Sequence, residues 1–495
     1  MRAHIEAAVR HLRQGDLSRA ESRLKSVLEA EPGHPDALHL MGCVQLRRGR
    51  PGDAVRLMER AVAAAPGVAL YHENLAEALW RARRAELAAG ECRLALRLDA
   101  RLHRPHNLLG LMAIDRCDYV EALQHLGEAL RAEPRNPDAL LNVSVVCNRT
   151  GDHERAGQYS EMVLKLAPGH PLAWINLGLA SKGMRRLAEA RAAFERAGDL
   201  PMARFNLGYT WLLDDDLVRG LPLCEARKEL LGIGRGLARP EWDGTPCPDR
   251  TLLVIHEQGL GDTILMSRFY PRLLERAGRV VVLVQEPLER LIATVSPDIR
   301  VVTDLEGVEY DLWCATMSLP LLLGIGSVEQ LPLEPWLHVP GPERRGERLR
   351  AGLNWAGNPS FAHDFVRSTH LESLRLLLEV PGVEWCSLHR GHLEHEAEAF
   401  GLPQPLREAA DFHDTARVVK GLDLVVSTET AIPNLSAALG VRTCVLTSPD
   451  TDWRWRSWYA GVTVCSQDVP GDWTGPVTRA LEVIRGELAA AAPAA

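Results

Sequence analysis

The chain has 495 residues, 46% of them hydrophobic and 25% charged, with 65 acidic residues against 57 basic ones. This length exceeds what one hydrophobic core usually supports, so several globular units are expected. The mildly acidic balance argues against a nucleic-acid partner, which requires a dense basic surface, and the lack of any run of about 18 apolar residues argues against a membrane span.

The ten cysteines are scattered along the chain without a C-x-x-C spacing. This pattern is typical of reduced thiols rather than of disulfides or a metal site. Residues 1–13 mix charged and apolar side chains at helical spacing and lack the long apolar run of a signal peptide. We therefore predict a cytoplasmic protein without a bound metal.

A period of 34 residues runs through the first part of the chain. One column of this period holds alanine at every step, and a second column holds a small residue at every step. The columns are Ala20, Ala54, Ala88, Ala122, Ala156 and Ala190, and Ala8, Gly42, Ala76, Gly110, Ser144 and Gly178. Two antiparallel helices approach closely only where side chains are small. The columns therefore predict packed helix pairs, four of which are closed by Pro32, Pro66, Pro134 and Pro168.

This pattern resembles the tetratricopeptide repeat, whose helix pairs stack into a superhelix with a concave inner face. Six repeats cover about residues 1–200 and a shorter seventh begins at Pro201, so we predict a repeat domain over 1–213. Because the end of such an array needs a cap, a final polar-faced helix is expected over 217–231. The segment 214–249 then holds this cap and a linker rich in glycine and proline.

A column of asparagines is the candidate binding surface of the repeats. Asn74, Asn142 and Asn176 occupy the same place in three repeats, and Asn206 precedes the same Leu-Gly pair. O-GlcNAc transferases, which this half resembles, hold a peptide backbone with asparagines at this place; an amide suits that task because it both donates and accepts. The resemblance implies a protein acceptor on the concave face. The alternative is that these amides bond to neighbouring turns of the array, and the sequence leaves both open.

Short apolar runs alternate with helical segments after residue 249, a pattern typical of α/β units with parallel sheets. The predicted strands are 252–255, 280–284, 301–302, 312–314, 352–355, 383–388, 424–427, 442–446 and 462–465. The proline-rich segment 332–342 divides them into two groups. We predict two Rossmann-like lobes over 250–340 and 341–485, followed by a flexible tail over 486–495.

A series of motifs follows in order along this half, at 256–262, 354–359, 367–368, 411–412, 427–431, 435–440, 452–455, 458–459 and 471–473. Together they resemble the heptosyltransferase-like glycosyltransferase domain of bacterial repeat proteins, over about residues 240–485. The resemblance implies an enzyme of the GT-B arrangement, in which two Rossmann-like lobes face each other across a cleft. The first lobe is then the acceptor side and the second the nucleotide-sugar side.

Asp262 is the candidate catalytic residue. It follows Gly259 and Gly261, which are predicted to bind the donor, because such glycines let a backbone turn tightly and approach a ligand. The resemblance implies that Asp262 is the base that takes the proton of the acceptor hydroxyl. An ordinary helix N-cap is the alternative.

The donor is expected in the second lobe. Ser427, Thr428 and Thr430 offer hydroxyls and backbone N–H groups at a helix start, which suit a diphosphate, although serine and threonine are also routine caps. Asn358 and Arg367 lie on a second loop, where Arg367 is expected to neutralise the leaving group without a metal. A surface arginine is the alternative.

Glu429 and Asn434 belong to the same predicted donor site but depart from the family, whose members usually carry aspartate and histidine there and no proline at Pro433. A changed donor sugar or weakened catalysis would follow. Four aromatic residues, Trp453, Trp455, Trp458 and Tyr459, lie close together. They are expected either to stack on the sugar or to pack the end of the chain against the first lobe.

The resemblance implies an inverting, metal-independent glycosyltransferase without a cofactor. Such an enzyme would move a sugar from a nucleotide-sugar substrate to serine or threonine of a protein held by the repeats. Flagellin is the acceptor that the family suggests. Two alternatives stay open. One is a binding scaffold whose transferase lobes have decayed, as Glu429, Pro433 and Asn434 suggest. The other is a transferase that acts on a carbohydrate acceptor, with the repeats serving only assembly.

Overall fold

The computed structural model describes residues 1–342, 348–360, 364–449 and 451–491. The chain divides into two compact units, Met1–Gly198 and Asp199–Ala495, here called the first and second units. Within the described residues, we find no helix both long and apolar enough to cross a membrane.

The first unit consists of helices arranged in consecutive antiparallel pairs. The helices are α1 Arg2–Arg13, α2 Leu17–Ala30, α3 Pro35–Arg47, α4 Pro51–Ala64, α5 Ala69–Arg81, α6 Ala85–Leu98, α7 His103–Asp115, α8 Tyr119–Ala132, α9 Pro137–Arg149, α10 His153–Leu166, α11 Pro171–Gly183 and α12 Leu187–Arg196. Aspartate, asparagine or histidine side chains cap several of their N-termini, and proline occupies the first turn of α3, α4, α9 and α11, three of which also carry such a cap. These six pairs confirm the predicted repeats.

The small-residue columns lie where the two helices of each pair meet. The alanines of the first column are all fully buried. A Cβ added at Gly42 would lie 2.7 Å from Met58 Cγ, and one added at Gly178 would lie 2.5 Å from the Phe194 ring. In the fifth pair the second helix carries no large side chain at this place. Instead, Ser160 of α10 shares a hydrogen bond of 2.7 Å with Ser144 of α9. The second helix therefore carries a side chain that compensates for the size of the residue it meets.

The second unit begins with three helices, α13 Pro201–Leu212, α14 Leu217–Cys224 and α15 Arg227–Leu231. A seventh helix pair, α13 and α14, packs closely, since a Cβ at Gly208 would lie 2.8 Å from the Gly220 carbonyl oxygen. The single cap helix expected over 217–231 is divided, because the chain bends at residues 225 and 226. The predicted boundary at residue 213 also differs from the division at residue 198.

Parallel sheets follow, as predicted. The strands are β1 Cys247–Ile255, β2 Ala277–Leu283, β3 Ile299–Val302, β4 Leu312–Ala315, β5 Leu349–Asn354, β6 Val383–Ser387, β7 Leu424–Thr428, β8 Arg442–Thr447 and β9 Val462–Ser466. The first four form one sheet in the order β3-β2-β1-β4, and the other five form a second sheet in the order β6-β5-β7-β8-β9. Every pairing is parallel. We call these the first and second lobes.

Helices connect the strands of each lobe. They are α16 Leu260–Met266, α17 Tyr270–Leu274, α18 Glu289–Ile292 and α19 Leu319–Leu322 in the first lobe, and α20 Asp364–Arg367, α21 Arg375–Leu378, α22 Glu394–Ala399, α23 Phe412–Lys420, α24 Ala431–Ala438, α25 Arg454–Ser457 and α26 Thr474–Ala491 in the second. The predicted tail over 486–495 begins too early, since α26 continues to Ala491; residues 492–495 lie outside the described chain.

Each sheet has a switch point, where the chain moves from one side of a starting strand to the other. In the first lobe this point lies between β1 and β4, and in the second it lies between β5 and β7. Ligands of open parallel sheets bind outside the carboxyl ends of the strands at this point. The topology therefore marks two crevices in the second unit.

Candidate functional site

Asp262 lies in the first turn of α16, directly after the glycine loop that follows β1. Gly259 is the N-cap, and Asp262 Oδ2 accepts a hydrogen bond of 3.2 Å from the Gly259 backbone N–H. Asp262 Oδ1 accepts a second hydrogen bond of 2.8 Å from Arg454 Nη1. Asp262 is thus the third residue of the helix rather than its N-cap, and its side chain stays 19% exposed.

Arg454 joins the two lobes. It lies in α25 of the second lobe, 192 residues after Asp262, and its Nη2 also donates to Asp452 Oδ2 at 2.6 Å. Burial opposes the charge of the guanidinium, but the carboxylates of Asp452 and Asp262 hold the pKa of Arg454 well above its usual value. Burial alone would raise the pKa of Asp452, yet the Arg454 charge lowers it. Asp452 and Arg454 therefore hold each other in their charged forms.

The turn after β7 lies at the switch point of the second sheet. Ser427 and Thr428 are fully buried, and Thr430 caps α24 by accepting from the Ile432 N–H at 3.3 Å. Asn354, at the end of β5, donates from Nδ2 to Ser427 Oγ and Thr430 Oγ1, both at 3.1 Å. Thr428 Oγ1 is buried and has no hydrogen-bond partner in the described part of the chain. Thr430 is therefore a helix N-cap, which was the alternative to a role in diphosphate binding.

The glycine turn of the first lobe contacts the start of α24 in the second. A Cβ added at Gly261 would lie 2.7 Å from Asn434 Nδ2 and 3.5 Å from Ala431 Cα. No side chain larger than hydrogen fits at Gly261 without a shift. Asn434 itself donates to the Thr430 carbonyl oxygen at 2.9 Å and accepts from the Tyr459 hydroxyl. Its amide is therefore engaged within the protein.

Glu429 lies beside this junction. Its Oε1 accepts a hydrogen bond of 2.8 Å from Trp455 Nε1. Burial raises the pKa of Glu429 to about 7, the nearby Asp452 carboxylate adds to this, and Trp455 and the charge of Arg367 oppose it. Glu429 thus supports the segment that carries Arg454, and its carboxyl is poised to titrate near neutral pH.

Arg367 is the last residue of α20, and Asn358 lies on the loop that follows β5. Arg367 Nε donates to Asp364 Oδ1 at 3.1 Å, and a Cβ at Gly357 would lie 3.0 Å from Arg367 Nη2. Asn358 is exposed, and its Oδ1 accepts from the Ser360 N–H at 2.9 Å. Arg367 therefore belongs to the electrostatic surroundings of Glu429, whereas Asn358 forms a local turn. Residues 361–363 between them lie outside the described chain.

The aromatic residues at 453–459 pack against the first lobe. Phe269 meets Trp458 edge to face, with ring centroids 6.2 Å apart. Arg268 is only 4% exposed; its Nη1 donates to the Trp458 carbonyl oxygen at 2.6 Å, and its guanidinium lies 4.0 Å from the Trp336 ring. Trp455 stacks on Tyr459 at 4.8 Å. These contacts agree with the second expectation, that the aromatic residues pack the end of the chain against the first lobe.

The asparagine column is engaged within the protein at three of its four positions. Asn74 Nδ2 bonds to His39 Nε2 at 2.8 Å, and Asn142 Nδ2 donates to Asn107 Oδ1 at 3.0 Å, so both amides connect successive repeats. Asn206 Nδ2 donates to the Met202 carbonyl oxygen at 2.8 Å within its own helix. Asn176 is 7% exposed. The peptide-binding role of the four asparagines stays a prediction.

The sequence reasoning assigned no role to Arg454, Asp452 or Asn354. All three lie within the motifs at 354–359 and 452–455, where the arginine two residues after an aspartate is the signal that could have found the ion pair. What the sequence does not show is the partner, because Asp262 lies on the other lobe.

A further contact between the lobes involves the side chains of Asp411, His413 and Asp414. Their ligand atoms lie within 4.8 Å of one another, close enough to hold a metal ion. Arg290 of the first lobe bonds to all three, with Nη1 donating to Asp411 at 3.0 Å. The positive charge that this group requires is thus supplied by an arginine.

The comparisons with known proteins support the repeat architecture of the first unit. Residues 11–79 and 108–171 match the family described as tetratricopeptide repeat. The chain therefore carries an N-terminal array of tetratricopeptide repeats, as predicted, followed by an α/β region with two parallel sheets. It is similar to Protein FlbA of Caulobacter vibrioides, with 24% identity over 545 residues that cover 97% of this chain and 89% of that protein.

Other similarities are confined to part of the chain. Cellulose synthase 1 operon protein C of Komagataeibacter xylinus is 27% identical over 39% of this chain and 13% of its own length. Among solved structures, a tetratricopeptide repeat protein from Parabacteroides merdae covers 47% of this chain and 94% of its own, with 19% identity and a TM-score of 0.39. YrrB, described as a TPR protein with an unusual peptide-binding site, covers 36% of this chain and 95% of its own, with 15% identity and a TM-score of 0.30.

Proposed function

We propose that the chain is an inverting glycosyltransferase of the GT-B arrangement, which moves a sugar from a nucleotide sugar to serine or threonine of a protein bound by the repeats. The observation that carries the proposal is the contact between the glycine turn of the first lobe, at Gly261, and the start of α24 in the second, at Asn434. A transferase needs an acceptor-side carboxylate and a donor-side diphosphate site at one reaction centre.

Asp262 is the proposed base. The acceptor oxygen attacks the anomeric carbon, the bond from that carbon to the diphosphate breaks, and the hydroxyl proton passes to Asp262. The ion pair with Arg454, 2.8 Å from Arg454 Nη1 to Asp262 Oδ1, fixes the orientation of the carboxylate. An ionised carboxylate offers about four acceptor positions, so its hydrogen bonds to Arg454 and Gly259 leave room for the acceptor hydroxyl.

The leaving diphosphate is proposed to lie at the start of α24. Backbone N–H groups at a helix N-terminus favour an anion, and the turn with Ser427, Thr428 and Thr430 brings hydroxyls to the same place. Arg367 is the proposed cation, because its charge already acts on Glu429 beside this turn. With arginine in this role the proposed mechanism requires no metal.

The repeat array is proposed to recruit the protein acceptor. Tetratricopeptide repeats form extended surfaces suited to protein partners, and the similarity to Protein FlbA extends over 97% of this chain, across both units. Flagellin is the acceptor to test first, because repeat proteins with a transferase domain of this kind are associated with its modification.

The test separates a base from a structural ion pair. Transfer is measured for the wild type, Asp262→Asn, Arg454→Gln and the double variant. A base is required whether or not Arg454 is present, so Asp262→Asn should reduce turnover at least about 100-fold in both backgrounds. If Asp262 only anchored Arg454, its replacement would cost little once Arg454 is already gone, and that result would contradict the proposed role.

A scaffold without activity is the second candidate. The observation that favours it is the internal engagement of two predicted donor residues, Asn434 by Tyr459 and Glu429 by Trp455. A panel of nucleotide sugars measured by thermal shift distinguishes the two. A ligand at 100 times its dissociation constant stabilises a protein by about 2.7 kcal/mol. Stabilisation by at least one nucleotide sugar is expected, and none at all would favour the scaffold.

A further inference from the structure

The switch point of the first sheet is already occupied by a side chain of the helical segment. Glu257 follows β1, Ser318 follows β4, and Arg227 of α15 lies between them. The Arg227 residue is 4% exposed, and the side chain of Glu257 is fully buried. A crevice that in other parallel sheets receives a ligand is thus filled here from within the chain.

All three guanidinium nitrogens of Arg227 donate hydrogen bonds. Nε and Nη2 donate to the two oxygens of Glu257 at 2.8 and 3.0 Å, and Nη2 also donates to Ser318 Oγ at 2.7 Å. Nη1 bonds to Glu225. Glu257 Oε1 in turn accepts from the Met317 N–H at 2.7 Å. Such a fork of hydrogen bonds fixes orientation as well as charge.

Glu257 belongs to the loop that leads to Asp262. Gln285 bonds to the same loop. Its Nε2 donates to the Gln258 carbonyl oxygen at 3.0 Å, and its Oε1 accepts from Thr263 Oγ1 at 2.9 Å. Arg227 bonds to the start of the loop through Glu257. One support of the glycine loop therefore comes from the helical segment that ends the repeats.

The same segment contacts the second lobe. Ser457 in α25, three residues after Arg454, donates from Oγ to Asp215 Oδ1 at 2.8 Å, and Asp215 lies between α13 and α14. Within the second unit, the seventh helix pair with α15 thus touches both lobes, close to the two residues that form the ion pair between them.

We propose that Arg227 is a positioning residue, which fills the switch-point crevice of the first sheet and, through Glu257, holds the loop that carries Asp262. This placement ties the end of the helical repeats to the acceptor-side loop. The effect on the loop is independent of any chemistry, whereas its consequence for catalysis rests on the proposed function.

The test uses hydrogen–deuterium exchange of the full-length chain. The variant Arg227→Met/Glu257→Gln removes both buried charges together, because Arg227→Met alone would leave Glu257 buried and unpaired. We expect amides of residues 256–263 to exchange at least tenfold faster, while residues 424–438 of the second lobe stay within twofold of wild type. Lys228→Met is the matched control, since Lys228 pairs with Glu225 and Glu241 and not with the loop; it should leave residues 256–263 unchanged.

Unchanged exchange of residues 256–263 in the folded double variant would overturn the proposal. If the double variant does not fold, Arg227→Lys decides in its place, because lysine keeps the buried charge without the fork. It should speed exchange of the loop at least threefold, and an unchanged loop would again overturn the proposal.

For transfer, the double variant should lower kcat at least tenfold and leave the donor KM within twofold, since the proposed donor residues lie on the other lobe. Unchanged kcat with a loosened loop would refute the positioning role. A wild-type chain without transfer would contradict the proposed function and leave the exchange result standing.

Discussion

Each unit, taken by itself, is stabilised by internal contacts, and the two units differ in the range of these contacts along the sequence. In the first unit the decisive contact recurs in each helix pair, as Gly42 meets Met58 and Gly178 meets Phe194, sixteen residues later in both cases. In the second unit the central contact joins Asp262 to Arg454 once, across 192 residues. Periodicity therefore reveals the first kind of contact, while the second becomes visible only when the lobes are placed together.

The largest effect is expected from Arg454→Met in the second unit. It leaves Asp262 and Asp452 close together without their shared cation, and removing one partner from a largely buried ion cluster costs about 3 kcal/mol. Urea denaturation of the second unit, followed by tryptophan fluorescence, measures the loss. Arg454→Lys keeps a charge and should lose less. A loss below about 0.5 kcal/mol for Arg454→Met would show that the pair lies in solvent rather than at a sealed contact.

Gly178→Ala tests the packing of the first unit. The added methyl group would lie 2.5 Å from the Phe194 ring, and overpacking of this kind costs about 2 kcal/mol. Adding Phe194→Leu reproduces the pair Ala8 and Leu24 of the first repeat. The double variant should therefore be less destabilised than the sum of the two single variants, as measured by urea denaturation followed by circular dichroism. Strict additivity would show that the two positions do not share one packing contact.

Glu429 predicts a loss of stability with rising pH in the second unit. Its folded-state pKa of about 7 lies above the usual value of 4.5, so the folded state binds a proton that the unfolded state has already released. Its stabilising contribution is present at low pH and is lost as the pH rises through about 7. Between pH 6 and pH 8 we expect a loss of about 1 kcal/mol, measured as the change in melting temperature. Glu429→Gln should remove this pH dependence, and an unchanged slope would contradict the assignment.

The first unit should respond to pH in the opposite direction, with the smallest effect. His106 Nδ1 lies 3.2 Å from His125 Nδ1, where the preceding repeat pairs His72 with Glu91. Burial lowers the pKa of both His106 and His125. The folded state therefore binds fewer protons than the unfolded state, and stability falls as the pH drops through the usual histidine value of 6.5.

Exchange of amides in α7 and α8 at pH 7 and pH 5.5 measures this effect, after correction for intrinsic exchange rates. Both rings are partly exposed, so solvent screening keeps the change below that expected for Glu429. The variant His106→Leu/His125→Tyr reproduces the pair Leu140 and Tyr159 of the next repeat. It should abolish the acid response. A response that persists in this variant would mean that other groups cause it.

The repeats and the strands could be predicted because their signals are local. The 34-residue columns and the apolar runs each reflect burial within one element. Strand β1 shows the limit, since residues 252–255 were predicted and the strand begins at Cys247. Its first part is mostly exposed and pairs irregularly with β2, so no apolar run marks it.

The candidate site could be predicted only in part. The two turns at Gly261 and Thr430 follow from glycine and capping signals, and the structure brings them together. The roles of Arg227 and Arg454 could not be predicted, because each depends on a partner 30 or more residues away along the chain. Charged residues in a sequence do not indicate which opposite charge they will meet.

The proposed function is tested most directly by intact-mass measurement of a candidate acceptor, with flagellin first, after incubation with the full chain and a panel of nucleotide sugars. The proposal predicts that one donor increases the acceptor mass by one sugar residue with the wild type and that Asp262→Asn gives no increase. An unchanged mass with every donor, or an equal increase with Asp262→Asn, would contradict the proposal.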